Sequence, residues 1–394
     1  MVLFEWERSV KRTDIIIKAL NGVLTWVQVA ETLQLSSRQV RRIRKRFENA
    51  GPAGLLDKRI LRHSWNKVPE RTIQKVLQLY REEYFDYNVK HFHEKLQSEH
   101  NVKQSYPWTL YTLQHAGLVS KNQKRDPHRK KRERRPLEGM MLHLDGSTHN
   151  WIGNAGPKWD LLATVDDATN EVYDAFFTAQ EDTRSVLKIV HQTVEKKGVF
   201  CSLYTDRGTH FVYTPKAGEK HDSTIRTQCQ RALDQLGIQL ILAYSPQARG
   251  RGERLWRTFQ GRIPQEFRRQ NITTMEAANK YLSEVFIPEY NLRFKKSPKE
   301  EGSVFLSPPA GVDLNLVFSI RHDRMVNPDN TISYKRKTFQ LPPSSLRYSF
   351  ARCKVQVHEH LDGRYTVTYG AHKICTFNAE AEVVTETHVK RKAA

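Results

Sequence analysis

The sequence has few cysteines, and no pair of them stands in a C-x-x-C spacing. It therefore offers neither a disulfide framework nor the thiolate pairs of a structural zinc site. No apolar run approaches the roughly 20 residues that span a bilayer, and the N-terminal "MVLFEWERSVKRTD" carries charge where a signal peptide needs an apolar stretch. The sequence thus predicts a soluble cytoplasmic protein with no membrane partner and four reduced thiols, at Cys201, Cys229, Cys353 and Cys375.

Acidic residues are also outnumbered. Against 43 Asp and Glu stand 64 Lys and Arg, which gives a formal charge of +21 and a pI near 9.8. So large an excess predicts a polyanionic partner, with nucleic acid as the first candidate. Since a single core rarely grows beyond about 250 to 300 residues, a chain of 394 residues should form several domains.

A helix-turn-helix pattern occupies residues 1–60. Two short segments with helical apolar spacing follow one another, and the pairs Thr25/Gln28 and Ser36/Gln39 match the capping box that begins a helix. The second helix of such a pair normally lies in a DNA major groove. A solvated, charge-rich helical hairpin is the alternative. The candidate DNA contacts here are Ser36, Arg38, Gln39, Arg41, Arg42 and Lys45.

Residues 69–118 predict a second helical, DNA-binding domain that resembles a helix-turn-helix. Its last helix should begin at Ser105 and end at Gly117. Trp108 is a candidate DNA contact, although a core position is the favoured interpretation for both Trp108 and Tyr111. A basic linker at 119–137 follows, which we expect to track phosphates through Lys130, Lys131 and Arg132 or to serve only as a tether.

Residues 138–296 alternate between strand and helix patterns and predict an α/β core. Asp145 in "LHLDG" and Asp206 in "YTDRG" each follow an apolar strand, and Glu253 lies early in a later helix. Three converging carboxylates repel one another unless cations lie among them, and two Mg²⁺ ions about 3.5 to 4 Å apart would supply that charge. Taken singly, either aspartate could be an ordinary turn residue. We interpret Asp166, Asp167 and Asp182 as turn and cap residues.

The C-terminal part predicts a linker at 297–316 and a small β-barrel at 317–380. Short alternating segments indicate strands, Asp362-Gly363 is a strong hairpin signal and Asp329-Asn330 a weaker one. Basic side chains in this region could meet DNA or a neighbouring subunit, or could simply be solvated. They are Lys335, Arg336, Lys337, Arg347 and Arg352.

The segments "LHLDGSTHNW", "YTDRGTHF" and "LAYSPQARGRGERLWRTFQ", in this order, resemble the integrase-core DDE transposases of bacterial insertion sequences, which are related to retroviral integrases. Among the bacterial groups, the layout is most similar to the ISNCY type. The resemblance implies a multidomain α/β protein with a ribonuclease-H-like catalytic core and an SH3-like C-terminal barrel. In it, Asp145, Asp206 and Glu253 would be the catalytic residues and metal ligands.

The same resemblance implies an activity and its partners. Two Mg²⁺ ions, for which Mn²⁺ can substitute, would serve the cleavage of inverted-repeat ends to free 3′-hydroxyls and the joining of these to target DNA. Gln247 and Arg249 would touch DNA near the cut. The partners would be double-stranded DNA, from transposon ends and target, and further copies of the chain, at least a dimer on DNA. The protein would be a bacterial cytoplasmic one that joins the nucleoid when bound.

The sequence departs from the family pattern at three places. Forty-six residues separate Asp206 from Glu253, Gly252 stands where the family usually has an aliphatic residue, and Pro264 with Gly261 should kink or end the helix that carries Glu253. A helix-turn-helix regulator that has lost catalysis is the alternative function. A nuclease that cuts without joining is a further one.

Overall fold

The computed structural model describes residues 2–55, 67–121, 133–153, 156–213, 225–243, 250–344 and 346–384. The chain divides into two compact units, residues 1–77 and 78–394. None of the helices in the described ranges combines the length and the apolar character that a membrane span requires. All four cysteines are free thiols, as predicted.

The N-terminal unit contains the predicted helix pair. Three helices, α1 (Val2–Leu20), α2 (Trp26–Leu33) and α3 (Ser37–Ala50), precede a 3₁₀ turn and α4 (Glu70–Glu82), which runs on into the second unit. Both predicted capping boxes are present, one at Thr25 and one at Ser36. The sequence analysis did not predict α1, which contributes Ala19 to an apolar core shared with Val29 and Val40.

The second unit opens with a helical segment that is tied to the α/β core. This segment contains α5 (Val89–Ser98) and α6 (Tyr106–His115), and Ser105 caps α6 as predicted. The buried Glu266 of the core accepts hydrogen bonds from His91 Nε2 at 2.8 Å and from Lys95 Nζ at 2.9 Å. Burial alone would raise the pKa of Glu266, but the hydrogen bond from His91 and the charge of Lys95 outweigh it and lower the pKa to about 2. The segment therefore packs against the core through charged groups.

A five-stranded mixed sheet forms the centre of this unit. Its strands are β1 (Leu142–His149), β2 (Trp159–Asp166), β3 (Val172–Thr178), β4 (Ser202–Thr205) and β5 (Gln239–Leu242). The spatial order is β3-β2-β1-β4-β5, with β1, β2 and β3 antiparallel and with β4 and β5 parallel to β1.

Both faces of this sheet are covered by helices. On one face lie α7 (Thr183–Lys197) and α8 (Gln228–Gln235), which pack on Leu142 and Leu144. On the other face, Leu161 and Ala163 pack against the later helices. These are α9 (Gly250–Gln260), α10 (Ile263–Arg269), α11 (Met275–Tyr281) and α12 (Ile287–Phe294). Because side chains alternate along a strand, β1 directs Leu142 and Leu144 to the first face and His143 and Asp145 to the face of α9.

The predicted break after Glu253 is confirmed. Helix α9 ends at Gln260, and Pro264 lies in the first turn of α10. Proline is tolerated there because the first turn of a helix has backbone N–H groups without helical partners anyway. Glu253 lies upstream of the break, in the first turn of α9.

The C-terminal strands surround one apolar cluster. After the short helix α13 (Leu314–Val317) come β6 (Ile320–Met325), β7 (Thr331–Tyr334), β8 (Lys337–Gln340), β9 (Lys354–Glu359), β10 (Tyr365–Tyr369) and β11 (His372–Phe377). Four of them form a sheet in the order β11-β10-β9-β6, while β7 pairs with β8. In residues 317–344 and 346–384 these pairings do not close the barrel that the sequence analysis predicted.

One predicted hairpin is correct and the other is wrong. Asp362-Gly363 joins the antiparallel β9 and β10, with Gly363 at φ +88°. Asp329-Asn330 does not join paired strands, because β6 pairs with β9. The hairpin between β7 and β8 turns instead at Lys335 and Arg336, which adopt φ +48° and +62°. Two successive left-handed residues are what a two-residue hairpin with a type I′ turn requires, and here they are not the usual Asn-Gly.

Candidate active site

Two of the predicted carboxylates belong to neighbouring segments: β1 carries Asp145, and β4, which pairs with β1, directly precedes Asp206. In the parallel pairing of β1 with β4, His143 stands opposite Tyr204. Asp145 follows His143 by two residues, and Asp206 follows Tyr204 by two residues, just beyond the end of β4. Neighbouring strands lie about 4.8 Å apart. Residues more than 60 positions apart in the sequence are thus brought to one edge of the β1–β4 pair.

The prediction that Asp145 ends its strand is wrong, whereas the corresponding prediction for Asp206 is confirmed. Strand β1 continues to His149, and Asp145 pairs with Ala163 of β2. Strand β4 ends at Thr205, directly before Asp206. The difference arises because β2 pairs with β1 along its whole length, while the pairing with β4 stops two residues before Asp145.

Hydrogen bonds orient both aspartates. Asp145 Oδ1 accepts from the backbone N–H of Gly146 at 3.1 Å, and Asp145 Oδ2 accepts from Trp256 Nε1 of α9 at 3.0 Å. Asp206 Oδ1 accepts from the backbone N–H of Gly208 at 2.9 Å. Two small pockets adjoin Asp145, and Asp145 and Gly252 line both of them. The carboxylate of Asp145 therefore borders open space beside α9.

Glu253 is carried by the helix that contacts Asp145. It is exposed, and it follows Gly252, whose backbone approaches the Asp145 carboxylate so closely that a Cβ there would lie 2.7 Å from Oδ2. Within the described ranges, no three His, Cys, Asp or Glu side chains are gathered tightly enough to hold a metal ion. The structure thus places the helix of Glu253 beside Asp145, and within the described ranges it does not gather the three predicted carboxylates into a set that could hold a metal ion.

A buried His–Asp pair beside Asp145 was missed at the level of sequence. His143 Nε2 donates to Asp167 Oδ1 at 2.7 Å, and Asp167 Oδ2 accepts from the backbone N–H of Arg135 at 2.7 Å. His143 precedes Asp145 by two residues, so strand alternation could have indicated that both side chains share a face. Asp167 is therefore more than the turn residue that we predicted.

The other two acidic residues have the predicted roles. Asp182 caps α7 by accepting from the backbone N–H of Ser185 at 2.7 Å. Asp166 accepts from the backbone N–H of Thr169 at 2.7 Å within the turn between β2 and β3. Asp166 also accepts from the backbone N–H of Gly139 at 2.9 Å, so it ties the turn to the segment before β1 as well.

The candidate DNA contacts of α3 are all exposed, and they fall into two groups. Ser36 and Gln39 bond each other in the capping box, so their polar atoms already serve the start of the helix. The cationic side chains extend from the solvent-facing side of α3. They are Arg38, Arg41, Arg42 and Lys45.

Only some of the remaining candidate DNA contacts lie within the residues that the structure describes. Trp108 is half-buried on α6, and Tyr111, for which a core position was the favoured interpretation, is 68% exposed. Five predicted contacts lie outside the described residues, so their predictions stand as made. They are Lys130, Lys131, Arg132, Gln247 and Arg249.

Comparisons with known proteins find relatives along nearly the whole chain. A family described as winged helix-turn helix matches residues 12–82. The protein named "Putative transposase y4bF" of Sinorhizobium fredii is 29% identical over 370 residues, which cover 93% of this chain and 80% of that protein. The transposase for insertion sequence IS1202 of Streptococcus pneumoniae is 27% identical over 386 residues, which cover 89% of this chain and 82% of the relative.

Among solved structures, a chain of a simian T-cell lymphotropic virus intasome in complex with the PP2A regulatory subunit B56 gamma matches 76% of this chain and 95% of its own length. Its TM-score is 0.34 at 13% identity, which is too low to establish a shared fold. The helix-turn-helix match supports DNA binding. The chain is related, across almost its whole length, to transposases of insertion sequences.

Proposed function

We propose that this protein is a DNA transposase of the integrase-core DDE class, in which Asp145, Asp206 and Glu253 are the catalytic carboxylates. It would bind the inverted-repeat ends of an insertion sequence, cleave them to free 3′-hydroxyls and join these to target DNA. The observation that supports the proposal is the docking of α9, the helix of Glu253, on Asp145 of β1, which pairs in parallel with β4, the strand directly before Asp206.

The architecture around these residues supports the proposal. A sheet in the order β3-β2-β1-β4-β5, with three antiparallel strands followed by two parallel ones and helices on both faces, is what we expect of a ribonuclease-H-like core. Helix α9 follows β5 and returns to β1, so three elements distant in sequence meet at one edge. We therefore include the ribonuclease-H-like fold in the proposal.

The donor set fits magnesium. Mg²⁺ prefers oxygen ligands, and both Asp145 and Asp206 offer carboxylate oxygens, with Asp145 lining a pocket beside Gly252. Two such ions would supply charge stabilisation for the attacking and leaving oxygens of a phosphate displacement. The chain itself holds Asp145 by Gly146 and Trp256 and holds Asp206 by Gly208. Mn²⁺ would substitute for Mg²⁺.

DNA binding would depend on other parts of the chain. The exposed cations of α3 would contact bases or phosphates, since arginine can fork onto guanine or onto a phosphate. Because two element ends must be cut and joined together, we propose that at least two copies assemble on DNA. The formal charge of +21 favours that assembly on a polyanion.

A cleavage assay tests the proposal. The full chain is incubated with Mg²⁺ and a duplex taken from the DNA that flanks its open reading frame. We expect a nick at the element end that is lost in Asp206→Asn and retained in Asp234→Asn, a change at an exposed aspartate of α8. Tight binding without any nick would refute the enzyme and favour the regulator.

Joining is tested separately. Pre-cut ends with free 3′-hydroxyls are supplied together with a supercoiled plasmid, and inserted ends are detected by sequencing across the junctions. Insertion that requires Asp206 supports the transposase. Nicking of end duplexes without any insertion would instead identify a nuclease that cuts without joining.

A further inference from the structure

Helix α9 and strand β1 meet along one line of polar contacts, which we call the α9–β1 seam. It consists of Gly252, Trp256 and Gln260 on the helix and Asp145 and Ser147 on the strand. Residues four apart lie on one face of a helix, and residues two apart lie on one face of a strand, so these five face one another. Trp256 Nε1 donates to Asp145 Oδ2 at 3.0 Å, and Gln260 Nε2 donates to Ser147 Oγ at 2.9 Å.

Gly252 allows this close approach. A Cβ at this position would lie 2.7 Å from Asp145 Oδ2, nearer than real Cβ atoms come to other heavy atoms. Glycine within a helix costs about 1 kcal/mol relative to alanine, so its presence in the first turn of α9 has a local cost. Glycine fits this position in spite of that cost, because it leaves space for the Asp145 carboxylate. This also accounts for a glycine where the resemblance implies an aliphatic residue.

The indole of Trp256 is a rigid, buried donor. The residue is 7% exposed and packs edge-on against Phe259, with ring centroids 5.7 Å apart. Its N–H therefore points to Asp145 from a side chain with little freedom to turn. Because Asp145 Oδ1 is held by the backbone of Gly146, the two oxygens of the carboxylate are restrained from opposite sides by strand and helix.

We propose that the α9–β1 seam is a positioning device for the candidate active site. Trp256 orients the Asp145 carboxylate, and Gly252 lets α9 lie close enough for Glu253 to be carried to the edge shared by Asp145 and Asp206. Both are positioning residues, since they act through Asp145 and Glu253. The inference rests on the proposed function and deepens it. Groups that orient a metal ligand from outside typically contribute 10- to 100-fold to metal affinity.

Manganese binding is a readout that does not depend on activity. Free Mn²⁺ is titrated against the full chain and followed by electron paramagnetic resonance. We expect Trp256→Phe, which keeps the ring and removes the N–H, to weaken Mn²⁺ binding by about tenfold. Trp151→Phe is the matched control, because Trp151 Nε1 makes a 2.9 Å hydrogen bond to a backbone oxygen, that of Trp159. It should bind Mn²⁺ like the parent chain.

Gly252→Ala tests the seam independently at a half-buried site. The added methyl must displace the Asp145 carboxylate or the helix, so we expect Mn²⁺ affinity to fall by at least tenfold while the urea unfolding midpoint changes little. Alanine favours a helix more than glycine does, so a loss of affinity here would not reflect a loss of helix propensity. Unchanged Mn²⁺ affinity in both Trp256→Phe and Gly252→Ala would overturn the inference.

The failure of the inference and that of the proposed function are distinguishable. If Asp145→Asn and Asp206→Asn abolish Mn²⁺ binding while Trp256→Phe and Gly252→Ala retain it, the carboxylates form the site and the seam does not position them. If neither Asn variant changes Mn²⁺ binding, the proposed metal site itself is wrong, and with it the seam. Weakened binding in all four variants supports both.

Discussion

The N-terminal unit and the second unit bury different kinds of side chain. In residues 10–55 and 67–77, every buried residue is apolar or glycine. The second unit, by contrast, buries charged and polar groups, among them Asp166, Asp167, Glu266, His358 and Glu359. Burying a charge is costly unless it is paired, so each such group in the second unit depends on a partner placed by the fold.

The comparison shows two ways of building a functional surface. The α3 face presents Arg38, Arg41, Arg42 and Lys45 within eight residues, and a stable helix is all that this requires. The candidate active site instead joins residues such as Asp145 and Trp256, which are 111 positions apart. Substitutions in the two units should therefore have different effects. Those in α3 should weaken DNA affinity, and those in the core should abolish cleavage or lower stability.

The largest expected effect is on cleavage. Asp145→Asn removes the negative charge of a proposed catalytic carboxylate, and we expect a rate loss of at least about 10³-fold, or about 4 kcal/mol of transition-state stabilisation. Affinity for an element-end duplex, measured without metal by anisotropy, should stay within about twofold, since the α3 face is unchanged. If Asp145→Asn retained cleavage, Asp145 would not be a catalytic residue, and the proposed division of DNA binding and chemistry between the two units would be wrong.

The next effect is on stability. Glu266→Gln removes the buried charge that pairs with Lys95 and accepts from His91, and breaking such a pair should lower the free energy of unfolding by about 3 kcal/mol. Urea unfolding measures it. Glu289→Gln is the control, because Glu289 is exposed and its pair with Arg293 is 3.9 Å long. Equal losses in the two variants would contradict a special role for buried charge.

The buried histidine of the C-terminal sheet should make the second unit sensitive to acid. Burial, with the nearby charge of Arg321, lowers the pKa of His358 to about 3. Unfolded His takes up a proton near pH 6.5, so the stabilisation is present above pH 6.5 and is lost as the pH falls toward 3. Protonation of His358 in the unfolded state should therefore lower the free energy of unfolding by roughly 2 kcal/mol between pH 7 and pH 5.

The contribution of His358 is measured by comparing how much the free energy of unfolding falls on acidification in two proteins. Urea unfolding at pH 7 and pH 5 is compared between the parent chain and His358→Gln, which can still hydrogen-bond but does not titrate. The variant should lose roughly 2 kcal/mol less on acidification, whatever the substitution costs at pH 7. An identical drop in both proteins would exclude His358 as the source.

The effect on DNA affinity should be smaller. Arg41→Ala should cost about 1 to 3 kcal/mol of binding if Arg41 contacts a base, or should lower the salt slope by about one if it contacts a phosphate. Arg44→Ala is a matched control on the same helix, because Arg44 pairs with Glu48 at 2.6 Å and lies over the Trp26 ring. Cleavage at saturating DNA should be normal for Arg41→Ala. If the cleavage rate at saturating DNA fell as much as the DNA affinity, Arg41 would also affect chemistry, and the proposed difference between the units would be wrong.

The smallest effect concerns the helix that carries this face. Ser36→Ala removes the cap of α3 and should cost about 1 kcal/mol of local stability. Hydrogen exchange of α3 amides in the full chain measures it, and the neighbouring Ser37→Ala is the control. Faster exchange confined to α3 is expected. Equal exchange in the two variants would show that packing at Val40, and not the cap, stabilises the helix.

Much of the fold was predictable because its signals are local. The capping boxes at Thr25 and Ser36, the hairpin at Gly363 and the helix break before Pro264 each depend on a few neighbouring residues, and each is found where it was expected. What failed depends on partners distant in sequence. The extent of β1 beyond Asp145 is set by β2, and the turn after β7 is formed by side chains that carry no turn signal.

By itself, the sequence determined which residues carry charge and where several helices begin and end, because these follow from side-chain chemistry and short-range backbone geometry. Only the tertiary structure decided that β1 pairs with β4, that His143 pairs with Asp167, and that Gly252 and Trp256 approach Asp145. Strand register and helix docking are set by the packing of the whole apolar core. No local pattern contains that information, because it is shared among residues that meet only after folding.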